Sequence, residues 1–139
     1  MSTSKNKATI RRHVEEVFNK GNLSIADEII SPDYIFQSPL GEFKGPEGFK
    51  QMVAMVRKAC PDMHYTIDDM VAEGDKAAVL YTFTGTFTGG LPGIPPTGKH
   101  AEMKQAFVYH FKNGKEVKAL ALHNPNALFR VFGISIPPG

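Results

Sequence analysis

An α+β domain, in which N-terminal helices cover one face of a strongly bent antiparallel sheet, is predicted by three observations. Apolar residues recur at helical spacing as far as Ala59, they alternate with period two from Met63 onward, and Gly, Pro and Asn-Gly signals punctuate the segments. Helices first and a long meander afterwards leave the helices on one side of the sheet. At 139 residues, with 42% apolar and 22% charged side chains, the chain suits a single domain over residues 1–139 with a true core.

From Lys5 to Asn19, Ile10, Val14, Val17 and Phe18 form one stripe and Arg11, Arg12, Glu15 and Glu16 the opposite one, which predicts an amphipathic helix ended by Lys20-Gly21-Asn22. Ser24 is placed to cap a second, short helix through Ile30, and Ser31-Pro32-Asp33 closes it before a brief strand from Tyr34 to Gln37. Gly45-Pro46 opens a third helix whose stripe is Phe49, Met52, Val53 and Val56. Four antiparallel strands follow. Met63, Tyr65 and Ile67 mark the first; Val79, Tyr81, Phe83 and Phe87 share one face of the second. Ala101 to Phe111 and Glu116 to His123 form a hairpin about Asn113-Gly114. Asn124-Pro125 reads as the start of a last helix that carries Leu128, Phe129 and Phe132 and stops at Gly133.

Between the second and third strands, Gly93, Gly98 and Lys99 have the spacing of a phosphate-binding loop. That loop works through backbone N–H groups and a terminal hydroxyl, whereas Pro95 and Pro96 lack the N–H and His100 occupies the hydroxyl position, so the nucleotide reading fails and a mobile rim loop is expected instead. Sixteen basic and fourteen acidic residues are scattered along the chain, which excludes a nucleic-acid footprint. No apolar run approaches the roughly 20 residues that cross a bilayer, and a cytoplasmic location without membrane partner is expected. Cys60, the single cysteine, reads as a small packed side chain. A bent sheet wrapped around helices encloses a concave, mostly apolar space that fits a hydrophobic small-molecule ligand.

These segments resemble the SnoaL-like polyketide cyclase family of the nuclear transport factor two-like superfamily over nearly the whole chain. The resemblance is carried by VEEVFNKGNLSIADEIISPDYIFQSP at Val14 to Pro39, GPEGFKQMV at Gly45 to Val53, CPDMHYTIDDMVAEGDKAAVLYTFTGTFTG at Cys60 to Gly89, GIPPTGK at Gly93 to Lys99 and FKNGKEV at Phe111 to Val117. It implies a cone-shaped α+β barrel of the cystatin-like kind with an internal pocket, a homodimer through the outer face of the sheet, and neither metal nor organic cofactor. The implied function is that of a cyclase or isomerase acting on a hydrophobic carbonyl compound by general acid/base chemistry, aldol or enolisation. In such cyclases an Asp near the end of the last strand is the acid/base and a His on the preceding strand assists. Here the Asp position falls on Asn124, and the bulky aromatic that usually precedes it by four residues falls on Leu120. An amide cannot exchange protons near neutral pH, although it can orient a carbonyl. The alternative is therefore a binding protein of the same fold that has lost its acid. An epoxide-opening hydrolase would need an inward Asp–Arg–Asp cluster, and none is apparent.

His110 matches the strand position of the assisting His and is the candidate base; the plain alternative is an outward histidine at a hairpin end. Register decides between them. A two-residue turn puts His110 opposite Val117 and on the other face from Asn124, whereas a three-residue loop puts it opposite Glu116 and on the same face. Asn124 is either a polar anchor or only a helix cap. His123 faces away from Asn124 in a regular strand, and a kink before Pro125 could redirect it. Gln37 is a candidate anchor for a ligand oxygen, and Tyr34, Phe83, Phe107 and Leu120 are candidate wall residues. Adjacent Asp68 and Asp69 point to opposite faces and cannot share a proton, and His64 and His100 lack partners for a metal site.

Overall fold

The computed structural model describes residues 3–38, 41–122 and 130–133. Helix α1 (Thr3–Arg12) continues into a π-helical turn, His13–Phe18, and a single 3-10 turn at Leu23–Ile25 leads into α2 (Ala26–Ile29). The chain then forms β1 (Ile30–Ser38), β2 (Gly41–Lys44), α3 (Gly45–Ala59), β3 (His64–Glu73), β4 (Lys76–Thr86), β5 (His100–Lys112) and β6 (Lys115–Ala121). The six strands lie in the order β2-β1-β6-β5-β4-β3. Strands β3 to β6 are the expected antiparallel meander, while β1 adds to it parallel to β6. No helix among the described residues is long and apolar enough to cross a membrane.

Three local expectations change. Ser24 does not cap α2; its Oγ donates to Asn22 Oδ1 at 2.8 Å. The strand expected from Tyr34 begins already at Ile30, because pairing with β6 and β2 supplies hydrogen bonds that local propensity does not count. The connection after β4 is folded rather than loose: Phe87 N donates to Lys99 O at 3.0 Å, Gly98 N to Phe87 O at 2.8 Å, and Leu91 and Ile94 form a bridge. His123, Asn124 and most of the expected last helix lie outside the described residues, but Phe132 is buried against Phe83 and Phe87.

The core lies between the concave face of the sheet and the helices. Ile10, Val14, Val17 and Phe18 from the first helix and Phe49, Met52 and Val53 from α3 cover Tyr65, Val79, Tyr81, Phe83, Phe107 and Tyr109 of the strands. Gly85 interrupts this inner row because a Cβ there would come within 3.0 Å of Cys60 Cβ. Burial, and then Asp62, push the Cys60 thiol up to about 11, which fits a packed and unreactive side chain.

Among the described residues the sheet is not closed, and β3 is one of its edges. Asn19, just past the π-helical turn, occupies that edge as a neighbouring strand would. Its Oδ1 accepts from Tyr65 N at 2.8 Å, and its Nδ2 donates to Tyr65 O at 3.0 Å. Asn19→Ala removes both bonds and is expected to cost about 1–2 kcal/mol in urea unfolding; a loss below about 0.3 kcal/mol would show that water replaces the amide freely.

Candidate functional site

The β5–β6 hairpin turns on Asn113 and Gly114, with φ of 54° and 79°, so that Lys112 pairs with Lys115 across a two-residue turn. Phe111 then pairs with Glu116. The next pair is His110 with Lys118, which leaves Val117 as a bulge. Neither expected register survives past this point. The bulge also changes which residues share a face: Glu116 turns inward and is buried together with Ala119, while Lys118 and Leu120 turn outward.

The sequence-derived site residues are divided accordingly. Tyr34, Phe83 and Phe107 are buried on the inner face, where wall residues are expected. Half-buried His110 lies on the outer face, paired with Lys76 on one side and Lys118 on the other. Gln37 also faces outward, exposed, and its Nε2 donates to Glu42 at 3.4 Å. Leu120 sits between Gln37 and Val108 on that same face. Asp68 is the extra residue of a second bulge, in β3, and accepts from Thr82 Oγ1 and Lys104 Nζ at the surface. Among the described residues the proposed anchors and base are thus not brought together inside.

What the interior does contain is a set of polar groups, of which periodicity had placed the Tyr65 and Tyr81 rings but not their hydroxyl partners. Tyr81 and Tyr109 share a hydrogen bond of 2.7 Å between their hydroxyls, and Tyr65 donates to Gln105 Oε1 at 2.9 Å. Deeper still, His13 Nδ1 lies 2.8 Å from Glu116 Oε2, with the side chains 2% and 0% exposed. The imidazole is caged by the edges or faces of Phe18, Phe49 and Tyr109, with ring centroids at 4.4, 4.9 and 5.7 Å. His13 Nε2 and Glu116 Oε1 are buried and have no hydrogen-bond partner among the described residues.

Local structure explains why these two groups meet. The π-helical turn is wider than an α turn, and four of its six residues, His13, Val14, Val17 and Phe18, are buried. One signal for His13 was available in the sequence: it lies three residues after Ile10 and four before Val17, within the apolar stripe. Glu116 had no such signal. Strict alternation groups it with Lys118 and Leu120, and only the bulge separates it from them.

All four tyrosines of the chain, Tyr34, Tyr65, Tyr81 and Tyr109, are held in the protonated form. Burial is the main cause in each, and the charge of Glu116 adds to it for Tyr34, Tyr81 and Tyr109. They are hydrogen-bond donors at neutral pH. Because the native hydroxyls ionise above the unfolded value of about 10, this stability is complete below pH 10 and is lost as pH rises beyond it. An alkaline absorbance titration is expected to show no tyrosinate in the folded protein near pH 10, with the signal appearing together with unfolding. A normal tyrosine titration with the fold intact would contradict this burial.

The sequence profile of the SnoaL-like polyketide cyclase family matches residues 8–130. Among solved structures, a protein from Acidithiobacillus ferrooxidans named a "putative polyketide cyclase" is 27% identical, with a TM-score of 0.76 over 96% of this chain and 98% of that one. AclR of Streptomyces galilaeus, named a "putative hydroxylase", is 26% identical with a TM-score of 0.78 over 95% and 98%. TsrD of Streptomyces laurentii, 24% identical with a TM-score of 0.84 over 96% and 98%, has the same fold. No curated protein sequence matches significantly. With its profile match covering most of the chain and its helices packed into a curved, open six-stranded sheet, this protein belongs to the SnoaL-like polyketide cyclase family.

Proposed function

We propose that this protein is a cyclase or isomerase that acts on a hydrophobic, carbonyl-containing small molecule by general acid/base chemistry, through aldol closure or enolisation. The observation that carries this reading is the inner face of the sheet, where Phe83 and Phe107 pack against the rings of Tyr65, Tyr81 and Tyr109, whose hydroxyls burial keeps protonated. Hydroxyls of that kind can donate to the oxygen of a developing enolate in a water-poor interior. Keto–enol chemistry needs only an acid and a base, so no metal or organic cofactor enters the proposal.

Asn124 supports a second reading, a ligand-binding protein without turnover, because it stands where the family's acid is expected. Incubation with a panel of polyketide β-keto esters and enones separates the two. Binding by calorimetry together with new products by chromatography supports the enzyme; binding with no product across the whole panel supports the binding protein. His110→Ala belongs in the same experiment. A base on the outer face has no route to a ligand held inside, so turnover is expected to stay within about twofold, and a large loss would return the reaction to that face.

The outer face carries the proposed dimer contact. Val71, Leu80 and Leu122 are 62%, 51% and 57% exposed, and the row Leu120, Val108, Ala78 and Val71 runs across four strands between them. Leu80→Lys is expected to produce a monomer in sedimentation; a monomeric wild-type chain would overturn the contact.

A further inference from the structure

The interior reading above leaves the base unassigned, and the geometry points to His13, positioned by Glu116, as the group that moves the proton. The inference rests on the proposed acid/base function and supplies its missing member. It stands on three observations. First, His13 and Glu116 form a 2.8 Å pair that is almost wholly buried, 103 residues apart in sequence. A carboxylate can only accept, so an ionised Glu116 holds the proton on Nδ1 and leaves the Nε2 lone pair free. Second, Nε2 has no partner among the described residues, although nearly all buried polar atoms in folded proteins have one. Third, His13 opens a π-helical turn, a distortion that interrupts regular helix bonding to place side chains and recurs at functional sites.

A surface cleft lies one side chain away from the pair. A cleft of about 560 Å³ runs between the first helix and the edge strand β3, with Val14, Asn19, Tyr65, Ile67 and Met70 among its walls. Tyr65 packs at a tilt against Phe18 with centroids 4.7 Å apart, and Phe18 in turn touches the His13 ring. One aromatic ring therefore separates the cleft wall from the imidazole. Tyr109, whose hydroxyl bonds that of Tyr81, also contacts the His13 ring.

In the proposed step, Nε2 takes a proton from the carbon next to the substrate carbonyl. The C–H electron pair becomes the enolate double bond, and the carbonyl π pair moves to oxygen, where a tyrosine hydroxyl donates to it. The imidazolium formed is held by Glu116. It then returns the proton, either to another carbon, which completes an isomerisation, or to the alkoxide made when the enolate carbon attacks a second carbonyl, which completes an aldol closure. Charge and protons balance without a co-reactant. Glu116 touches no substrate and acts as a positioning residue.

The test begins without ligand. In nitrogen-15 histidine spectra at pH 7.5, His13 is expected to show a protonated Nδ1 and a bare Nε2, and Glu116→Gln, whose amide can donate or accept, is expected to give a mixture of tautomers. Two protonated nitrogens in the wild-type protein would mark a fixed ion pair and overturn the inference. The second arm uses 4-nitrophenol, whose loss of a proton is visible as yellow phenolate. Wild-type protein at a pH below the phenol's own pKa is expected to bind it, shift the His13 Nε2 resonance and raise the phenolate fraction at least tenfold. His13→Gln, which keeps a donor for Glu116, is expected to bind the neutral phenol. Equal phenolate in both proteins would remove His13 while leaving the interior ligand site in place. Absence of binding to either protein would remove the ligand site and this inference together.

Discussion

Glu116→Leu is expected to lower the unfolding free energy by about 3 kcal/mol, the upper end of the loss when a buried donor bonded to a charged group is left without its partner. The variant leaves the His13 ring, 2% exposed among Phe18, Phe49 and Tyr109, with both nitrogens unpartnered. His13→Phe is expected to cost a similar amount for the converse reason, because it strands a carboxylate that is 0% exposed. The double variant His13→Phe/Glu116→Leu is the informative one. Replacing both members with apolar side chains is expected to restore stability to within about 1 kcal/mol of wild type or above it. Urea unfolding followed by circular dichroism would decide the matter, and additive losses in the double variant would refute a coupled pair. Turnover, in contrast, is expected to be absent from all three variants. A stable double variant that still turns over substrate would confine the pair to a structural role.

Gly89→Ala should be the most damaging single methyl that can be added to the chain, at about 3 kcal/mol, the upper end of ordinary overpacking costs. A Cβ at this position would lie 1.7 Å from Lys58 O and 2.7 Å from Lys58 C, both backbone atoms at the end of α3. The contact is close for a reason. Thr88 N and Gly89 N both donate to Ala59 O, at 3.1 and 3.0 Å, and so satisfy a carbonyl that the end of a helix leaves without an internal partner. The added methyl drives the loop off and breaks both bonds at once. It also opens the groove that Gln51, Ala54, Met55 and Lys58 form with Gly89 to Pro92. Gly93→Ala is the control. Nothing lies within 4 Å of its Cβ position, so only the φ of +73° opposes the substitution, at about 1–2 kcal/mol. Thermal unfolding of the two variants side by side would test the assignment; equal effects would mean that backbone strain rather than contact governs the loop.

The position of the helices, the meander and the buried aromatic row could be read from the chain because each depends on neighbours three, four or two residues away. Ile10, Val14 and Val17, or Tyr81 and Phe83, declare their face in that way. The candidate site was only half legible. Tyr34, Phe83 and Phe107 follow their strand periods and are inside. His110 and Gln37 were assigned roles through resemblance and lie on the outer face, because each stands next to an inward aromatic on its own regularly alternating strand, Tyr109 and Phe36; the bulge at Val117, which no local pattern marks, decides instead that Glu116 turns in.

Periodicity and turn chemistry, which are properties of short segments, determined by themselves that this protein is a helix-covered bent sheet with an apolar interior. Three features were decided only by tertiary structure: the parallel docking of β1 on β6, the inward turn of Glu116 and its meeting with His13. The physical reason is the same for each. Which strand edge finds a partner, and which polar group can be buried beside another, is settled by burial and hydrogen bonding between segments up to 103 residues apart, and local spacing carries no record of that competition.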